Sequence, residues 1–277
     1  MKTKCLLLVF ILSALFSCHK GKDYPSETPA NPHSFVALKL KDIDIASLPS
    51  PYYHFEYSGD KHISSFNFSN GLIYDITYTG DDLTLMKNNT AGTSKDSVKY
   101  NYTDNKLTRV TVTADVGVTY RRAFLTYYPS GQLQKLEWEL KLDNEPFAKE
   151  QSFTFTYYPD GNVKEILQQY FAVGPLSEAT FTDKYENYDD KINVDGFTLV
   201  EPSRLKLPIL IPGITLQVNN VGRIVRIGGA AVTYEVNYTY TYDGTGRPLM
   251  KTGDFVNTSG PDIGQHYELQ TTYSYYN

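Results

Sequence analysis

The sequence predicts an all-β chain: an antiparallel meander of repeated β-hairpins, forming a curved open sheet or an irregular half-barrel. Three observations carry this. A short tyrosine-rich run that alternates residue by residue recurs from about residue 53 to the end, as in "YHFEYSGDKHISSF", "VKYNYTDNKLTRV" and "FTFTYYPDGNVKEI". Each run leads into residues that form tight turns. No stretch of helical length carries a 3.6-residue amphipathic pattern; "LEWELKL" at 136–142 alternates and reads as strand.

The first 17 residues read as an export signal. Lys2 and Lys4 give a positive start, and Cys5 to Phe16 is almost unbroken apolar sequence, too short for a transmembrane helix with ordinary flanks. Leu15-Phe16-Ser17-Cys18 resembles the lipobox of a bacterial lipoprotein. The resemblance implies cleavage before Cys18 and lipidation of that residue. Several acyl chains would hold the chain durably at a membrane, where one alone is marginal. Residues 18–34 then read as a lipidated cysteine and a polar tether with Pro25, Pro29 and Pro32.

Only Cys5 and Cys18 are present. With one in the signal and the other lipidated, the exported domain has no disulfide and depends on its core. Processing would leave 24 basic against 31 acidic residues, moving the formal charge from -5 to -7. That acidic balance argues against a nucleic-acid groove.

Residues 35–277 read as one β-repeat domain. Val36, Leu38 and Leu40 alternate in an opening strand that Ile43 and Ile45 extend, and Pro49 and Pro51 separate it from the repeats. Within each repeat one face is aromatic: Tyr53, Phe55 and Tyr57; Tyr74, Ile76 and Tyr78; Phe153, Phe155 and Tyr157; Tyr238, Tyr240 and Tyr242. Threonine fills many intervening positions, which suits strands. Turns such as Ser58-Gly59-Asp60, Pro129-Ser130-Gly131, Pro159-Asp160-Gly161 and Asp243-Gly244 supply positive φ or self-bonding side chains. A hydrophobic residue follows each turn (Ile63, Leu83, Leu107, Leu133, Val163, Leu249) and is placed to pack on the preceding strand. Tyr57, Tyr78, Tyr102, Tyr128 and Tyr158 are 21, 24, 26 and 30 residues apart, and this unequal spacing favours an open sheet over a regular closed one. "TDKYENYDDKINVDGFTLV" reads as a degraded unit and "YELQTTYSYYN" as a closing half-unit.

"YYPSGQLQKL", "YYPDGNVKEI" and "YTYDGTGRPL" resemble the tyrosine–aspartate repeats of RHS and teneurin shells. With the lipobox, the chain is similar to a broad group of secreted lipoproteins of Bacteroidetes. In RHS proteins such repeats wall in a cargo; here they are too few to enclose a toxin domain, which removes the one function the repeat would imply. The resemblance does imply an address in the bacterial cell envelope, as an outer-membrane lipoprotein.

Residues 196–235 interrupt the array. Pro202, Pro208 and Pro212 oppose a central strand, and Leu205 to Leu216 is the most apolar stretch outside the signal. It reads as a plug or crossing strand over the sheet; the alternative is a docking segment formed by Leu205, Leu207, Ile209, Leu210 and Ile211. "GRIVRIGG" lacks the spacing and context of a dinucleotide site.

Chemistry is sparse. The five histidines have no zinc-ligand spacing, no serine sits in a nucleophile elbow, and no EF-hand loop occurs, so no metal or other cofactor is expected. Glu137 and Glu139 flank the single tryptophan, Trp138, and share a strand face about 7 Å apart. They are the remote candidates for a glycosidase pair, which needs two carboxyls flanking one bond. The leading expectation is a non-enzymatic, membrane-anchored binding or structural protein. Its alternative is a glycan-binding module using exposed tyrosines, with Tyr128, Trp138, Tyr158 and Tyr242 as candidate ligand contacts. The partners expected are the membrane, through the lipid on Cys18, and a glycan, peptide or envelope protein.

Overall fold

The computed structural model describes residues 39–276, apart from 60–61, 70, 94, 144, 176, 195–208, 212–213 and 230–231. Cys18, the tether and the start of the opening strand lie outside the described residues. Sixteen antiparallel strands follow in chain order: β1 (Leu40–Ile45), β2 (Tyr53–Ser58), β3 (His62–Phe68), β4 (Leu72–Thr79), β5 (Asp82–Asn88), β6 (Ser97–Thr103), β7 (Lys106–Thr113) and β8 (Thr119–Tyr127). The second half is β9 (Leu133–Lys141), β10 (Phe147–Tyr157), β11 (Val163–Tyr170), β12 (Ala179–Glu186), β13 (Arg223–Ile227), β14 (Tyr234–Tyr242), β15 (Pro248–Asn257) and β16 (His266–Tyr275).

The open sheet or half-barrel expected from the sequence is not what forms. β1 pairs with β16, Ile43 opposite Tyr273, and the sixteen strands close into a barrel. The unequal repeat lengths do not prevent closure because the extra residues lie in loops at the ends of the strands. A second correction concerns the apolar segment. Arg223–Ile227 inside it is a regular barrel strand, pairing β12 on one side and β14 on the other.

Alternation decides what faces where. Tyr53, Phe55, Phe66, Val98, Tyr100, Leu136 and Phe155 point inward and form one continuous core. Their neighbours point out: Lys99 and Asn101 on β6, Arg109 and Thr111 on β7, Glu137 and Glu139 on β9. A barrel that spans a bilayer has the opposite pattern, with an apolar outer band and a polar interior. Arg or Lys on the lipid side at mid-depth costs about 2–4 kcal/mol each. The wall of this barrel therefore faces water. Among the described residues, no helix is long and apolar enough to cross a membrane.

One rim is built by the repeat itself. Turns there join β2 to β3, β4 to β5 and so on around the barrel. In the Pro-x-Gly type, Gly131 and Gly161 hold φ near 90°, which a side chain would oppose. Each turn is followed by a register shift opposite the terminal tyrosine, as between Thr156 and Tyr157. The gaps that turns leave open are bridged by tyrosine hydroxyls. Tyr57 donates to Leu40 O (2.7 Å), Tyr102 to Leu83 O (2.9 Å), Tyr127 to Leu107 O (2.6 Å) and Tyr157 to Leu133 O (2.9 Å). Tyr188, Tyr240 and Tyr275 do the same to Val163, Val221 and Pro248, and Tyr78 bonds the backbone of Ile63. Burial keeps the phenols of Tyr57, Tyr78, Tyr102, Tyr127, Tyr157 and Tyr188 neutral; the Tyr78 hydroxyl is pushed up to about 12.

The same rim is plugged. Ile209, Leu210, Ile211, Leu216 and Val221 join the core, as a covering segment should. Asn162 holds this segment in place: its Oδ1 accepts Val218 N and Asn219 N, both at 2.9 Å, and its Nδ2 donates to Asn219 Oδ1. Asn193 and Asp189 add bonds to Gln217 and Asn220.

At the closing seam, His54 lies between two carboxylates, with Nδ1 2.5 Å from Asp42 Oδ1 and Nε2 2.7 Å from Glu56 Oε1. Ser274 of β16 donates to the other Asp42 oxygen at 2.7 Å. Partial burial lowers the imidazole pKa, but the hydrogen bonds and charges of Asp42 and Glu56 outweigh it, and the net shift is upward from 6.5.

Two predictions follow from these bonds. Tyr157→Phe leaves Leu133 O without its donor and should cost about 1–2 kcal/mol in urea unfolding. For His54 the folded pKa is the higher one. Its stabilisation is complete below about 6.5 and disappears as pH rises through the folded value. Unfolding free energy measured from pH 6 to 9 should therefore fall more steeply in the wild type than in His54→Gln.

Candidate functional site

The rim opposite the plug is where the interior reaches solvent. On β16 the inward face runs Tyr273, Thr271, Leu269, Tyr267. Tyr273 belongs to the core, yet Leu269 is 40% and Tyr267 43% exposed. The lumen is thus packed at the tyrosine rim, while at the far one β16 runs out into solvent, with His266 to Leu269 exposed on both faces.

Six consecutive strands each give this region one planar group. They are Tyr170 of β11, Phe181 of β12, Arg226 of β13, Tyr234 of β14, Phe255 of β15 and Tyr267 of β16. Tyr170 stacks on Phe181 with centroids 5.6 Å apart and planes 27° apart. The Arg226 guanidinium lies 3.7 Å from the Phe181 centroid and 4.7 Å from that of Tyr234. Tyr234 and Phe255 are 4.7 Å apart at 33°, and Phe255 meets Tyr267 at 6.0 Å and 65°. The row begins buried at Tyr170 and ends exposed at Tyr267.

Register accounts for the row. Tyr185, two residues beyond Asp183 on the same face, is in the core, so Phe181, Asp183 and Tyr185 all point inward. Asp183 pairs with Arg226 and Arg226 with Tyr234; Phe255 pairs with Tyr267. Gly253, next in the inward series of β15, leaves room for the Tyr238 ring: a Cβ there would come within 2.7 Å of it.

The guanidinium is fixed by charge as well as by rings. Arg226 Nε and Nη2 donate to the two oxygens of Asp183 at 2.7 Å each, and Gln168 Nε2 donates to Asp183 Oδ2 at 2.7 Å. Asp183 is only 3% exposed. This bidentate geometry is the strong form of the ion pair. Arg226 Nη1 has no hydrogen-bond partner among the described residues. Burial, then the Asp183 carboxylate beside it, holds the Tyr234 hydroxyl well above the usual phenol range, so it remains a neutral hydrogen-bonding group.

The residues singled out from the sequence lie elsewhere. Trp138 is fully buried in the core, its indole Nε1 unpaired among the described residues. Tyr128 donates to Phe155 O at 2.9 Å and meets Tyr157 edge-on. Tyr158 packs edge-on against Tyr188, and Tyr242 bonds Asp189. These three belong to the plugged rim, and the four do not converge. Leu205 and Leu207 lie outside the described residues; Ile209, Leu210 and Ile211 are buried. Glu137 and Glu139 are on the outer wall. Glu137 meets Lys135 and Lys149 at 2.6 and 2.8 Å, and Glu139 meets Arg122. Burial raises the Glu137 pKa, but the two ammonium groups outweigh it and hold it below its ordinary value. That environment suits a permanent anion rather than a general acid. No group of metal-ligating side chains occurs among the described residues.

No family model matches the sequence, and no curated protein does either. Solved structures do share the fold. A porin-like protein from Bacteroides uniformis ATCC 8492 superposes with a TM-score of 0.59 at 13% identity, covering 88% of this chain and 97% of that one. A porin-like protein from Bacteroides vulgatus ATCC 8482 gives 0.56 at 14% identity, covering 87% and 98%. At such identities the likeness concerns the fold alone.

The ion pair at the mouth generates a stability prediction. Arg226→Met leaves Asp183 charged, buried and unpaired, and should cost about 3–5 kcal/mol in urea unfolding. The Asp183→Asn/Arg226→Met double variant should recover much of that loss.

Proposed function

We propose that this chain is a non-enzymatic lipoprotein of the bacterial cell envelope, held at the outer membrane by the lipid on Cys18. Its water-facing barrel presents a ligand-binding mouth. The observation that carries the reading is the inverted barrel: a charged outer wall, an apolar interior, and one end where that interior emerges as exposed aromatic and aliphatic side chains. A wall of this polarity gives the barrel no means of entering a bilayer, so membrane attachment falls to the lipobox cysteine. Exposed inward-facing rings beside a fixed guanidinium match the general make-up of small-ligand sites, which are mostly apolar with a few oriented polar groups. Binding rather than catalysis is favoured because the two charged groups at the mouth, Asp183 and Arg226, neutralise each other, and the candidate carboxylates Glu137 and Glu139 stand outside it.

Detergent phase partitioning of the full chain, expressed in a bacterium that processes lipoproteins, tests this. The wild type should enter the detergent phase, and Cys18→Ser should remain in the aqueous phase. A Cys18→Ser chain that still partitions into detergent would mean that the barrel itself takes up lipid, and the reading would fall.

A further inference from the structure

We infer that the open edge of β16 at the mouth docks a second copy of this chain, the two strands pairing antiparallel with Tyr267 opposite Tyr267. The inference goes beyond the proposed function, and it holds whether or not the mouth takes a ligand.

The edge is open because β1 is short. β15 pairs with β16 from Thr272 out to His266, but β1 pairs with it only from Tyr275 to Thr271. β1 gives out at Ala46, whose N donates to Gln270 O at 2.9 Å. N-terminal to Gln270, β16 has no strand on that side among the described residues. Gln265 O accepts from Asn257 N on the β15 side, and Gln270 O accepts from Ala46 N on the β1 side. Alternation therefore turns the N–H and C=O groups of His266 and Glu268 toward the open edge. A strand end with unpaired backbone groups and exposed apolar side chains, here Tyr267 and Leu269, is a template for another strand.

Length and charge select the occupant and its register. The free stretch runs from Gln265 to Leu269, since Gln270 is taken by Ala46. Two copies centred on Tyr267 match end to end, with Gln265 opposite Leu269 and His266 opposite Glu268. These last two carry the backbone groups that face the edge, so each such pair exchanges both of its bonds. Centring on Glu268 instead would drive each strand into the other copy's Ala46 and set carboxylate against carboxylate. Centring on His266 would shorten the match and set imidazole against imidazole.

The outer face of β15 and β16 agrees with the Tyr267 register. Within one copy Asp254 stands directly opposite Glu268, an unfavourable like-charge pair. The His266 imidazole serves one of them: its Nδ1 lies 2.8 Å from Asp254 Oδ1. Its Nε2 has no hydrogen-bond partner among the described residues. Pairing brings Glu268 of the second copy opposite this ring. A protonated imidazole can then donate to a carboxylate of each copy.

The resulting pair is isologous, mouth to mouth, with the two plugged rims at its outer ends. The second copy's β16 continues the row that β1 begins. It brings the loop carrying Ile263 next to the turn carrying Leu48, and both side chains are exposed in the single chain. An edge this short buries less than the roughly 1,200 Å² of a stable complex, so the pairing is weak and concentration-dependent. Confinement to one membrane would raise the effective concentration.

The test is register-specific cross-linking of the full chain, expressed in a bacterium that processes lipoproteins and oxidised in isolated membranes. Tyr267→Cys places two thiols at a non-hydrogen-bonded pair, with Cα atoms about 4.5 Å apart, within disulfide reach. Glu268→Cys leaves them on a diagonal of about 7–8 Å, beyond it. The wild type sets the background from Cys18. A disulfide dimer is expected for Tyr267→Cys and not for Glu268→Cys. In sedimentation equilibrium of the full chain in micelles, Glu268→Pro should weaken the dimer about tenfold or more. Its melting temperature should be unchanged, because the N–H it removes faces the open edge. Equal cross-linking at both positions, cross-linking at residue 268 alone, or at neither, would overturn the inference; in the last case the edge is left to an extended peptide of another protein or to water. None of these results alters the detergent partitioning of the wild type and Cys18→Ser, so the two readings fail separately.

Discussion

The bond from a tyrosine hydroxyl to the carbonyl of the strand beside it is what the rest of the barrel depends on. At the plugged rim, turns can join only alternate pairs of strands. The pairs between them would splay where their connection lies at the distant end. A phenol is long enough to reach across and polar at its tip, and it closes those gaps one after another, from Tyr57 to Leu40 round to Tyr275 and Pro248. Apart from the Tyr240 bond to Val221, these bonds also satisfy backbone carbonyls at register shifts, where the ladder is interrupted. The rings of Tyr57, Tyr78, Tyr102, Tyr127, Tyr157, Tyr188 and Tyr275 also pack on the core. One residue type thus provides packing, satisfaction of a backbone group and registration of neighbouring hairpins. Its recurrence explains why tyrosine dominates the repeat.

Much of this was readable before any coordinates. Strands with their inward faces Tyr53–Phe55, Phe153–Phe155 and Tyr238–Tyr240 follow from period-two alternation, and the turns follow from their glycines and aspartates. The covering role of Leu216 and its neighbours followed from apolarity interrupted by proline. Closure was not readable, because it depends on one pairing, β1 with β16, between segments more than two hundred residues apart. Nothing local to Leu40–Ile45 announces its partner. β13 was hidden for a related reason: five residues among glycines, with Arg223 and Arg226 in place of aromatics, lack the repeat's signature.

The stacked row at the mouth was missed on the same grounds. Its members are spread from Tyr170 to Tyr267, one to a strand, and become neighbours only through register. The aromatics that looked most accessible in the sequence, Trp138 and the turn tyrosines, are drawn into the core or the plugged rim because they are the repeat's structural positions. Residues that depart from the repeat are the ones left facing the opening. Arg226 replaces an apolar inward residue and brings Asp183 and Gln168 with it, and Gly253 makes space for Tyr238. Departures from a structural repeat were the better guide to a site than the repeat's own aromatic residues.

Lys39 and Tyr276 meet at the plugged rim, where Tyr276 N donates to Lys39 O at 2.9 Å. The first and last described residues therefore stand side by side across one strand gap, in the place that a turn occupies at the neighbouring hairpins. In topological terms the barrel is a ring with one nick. A short peptide joining those two points would complete the cycle, and new termini could then be cut at an outlying loop such as Ala114–Val118 without altering the order of strands around the wall. The attachment point would move to the rim of the mouth, so the position of the nick, rather than the fold, determines which end of the barrel a tether would hold.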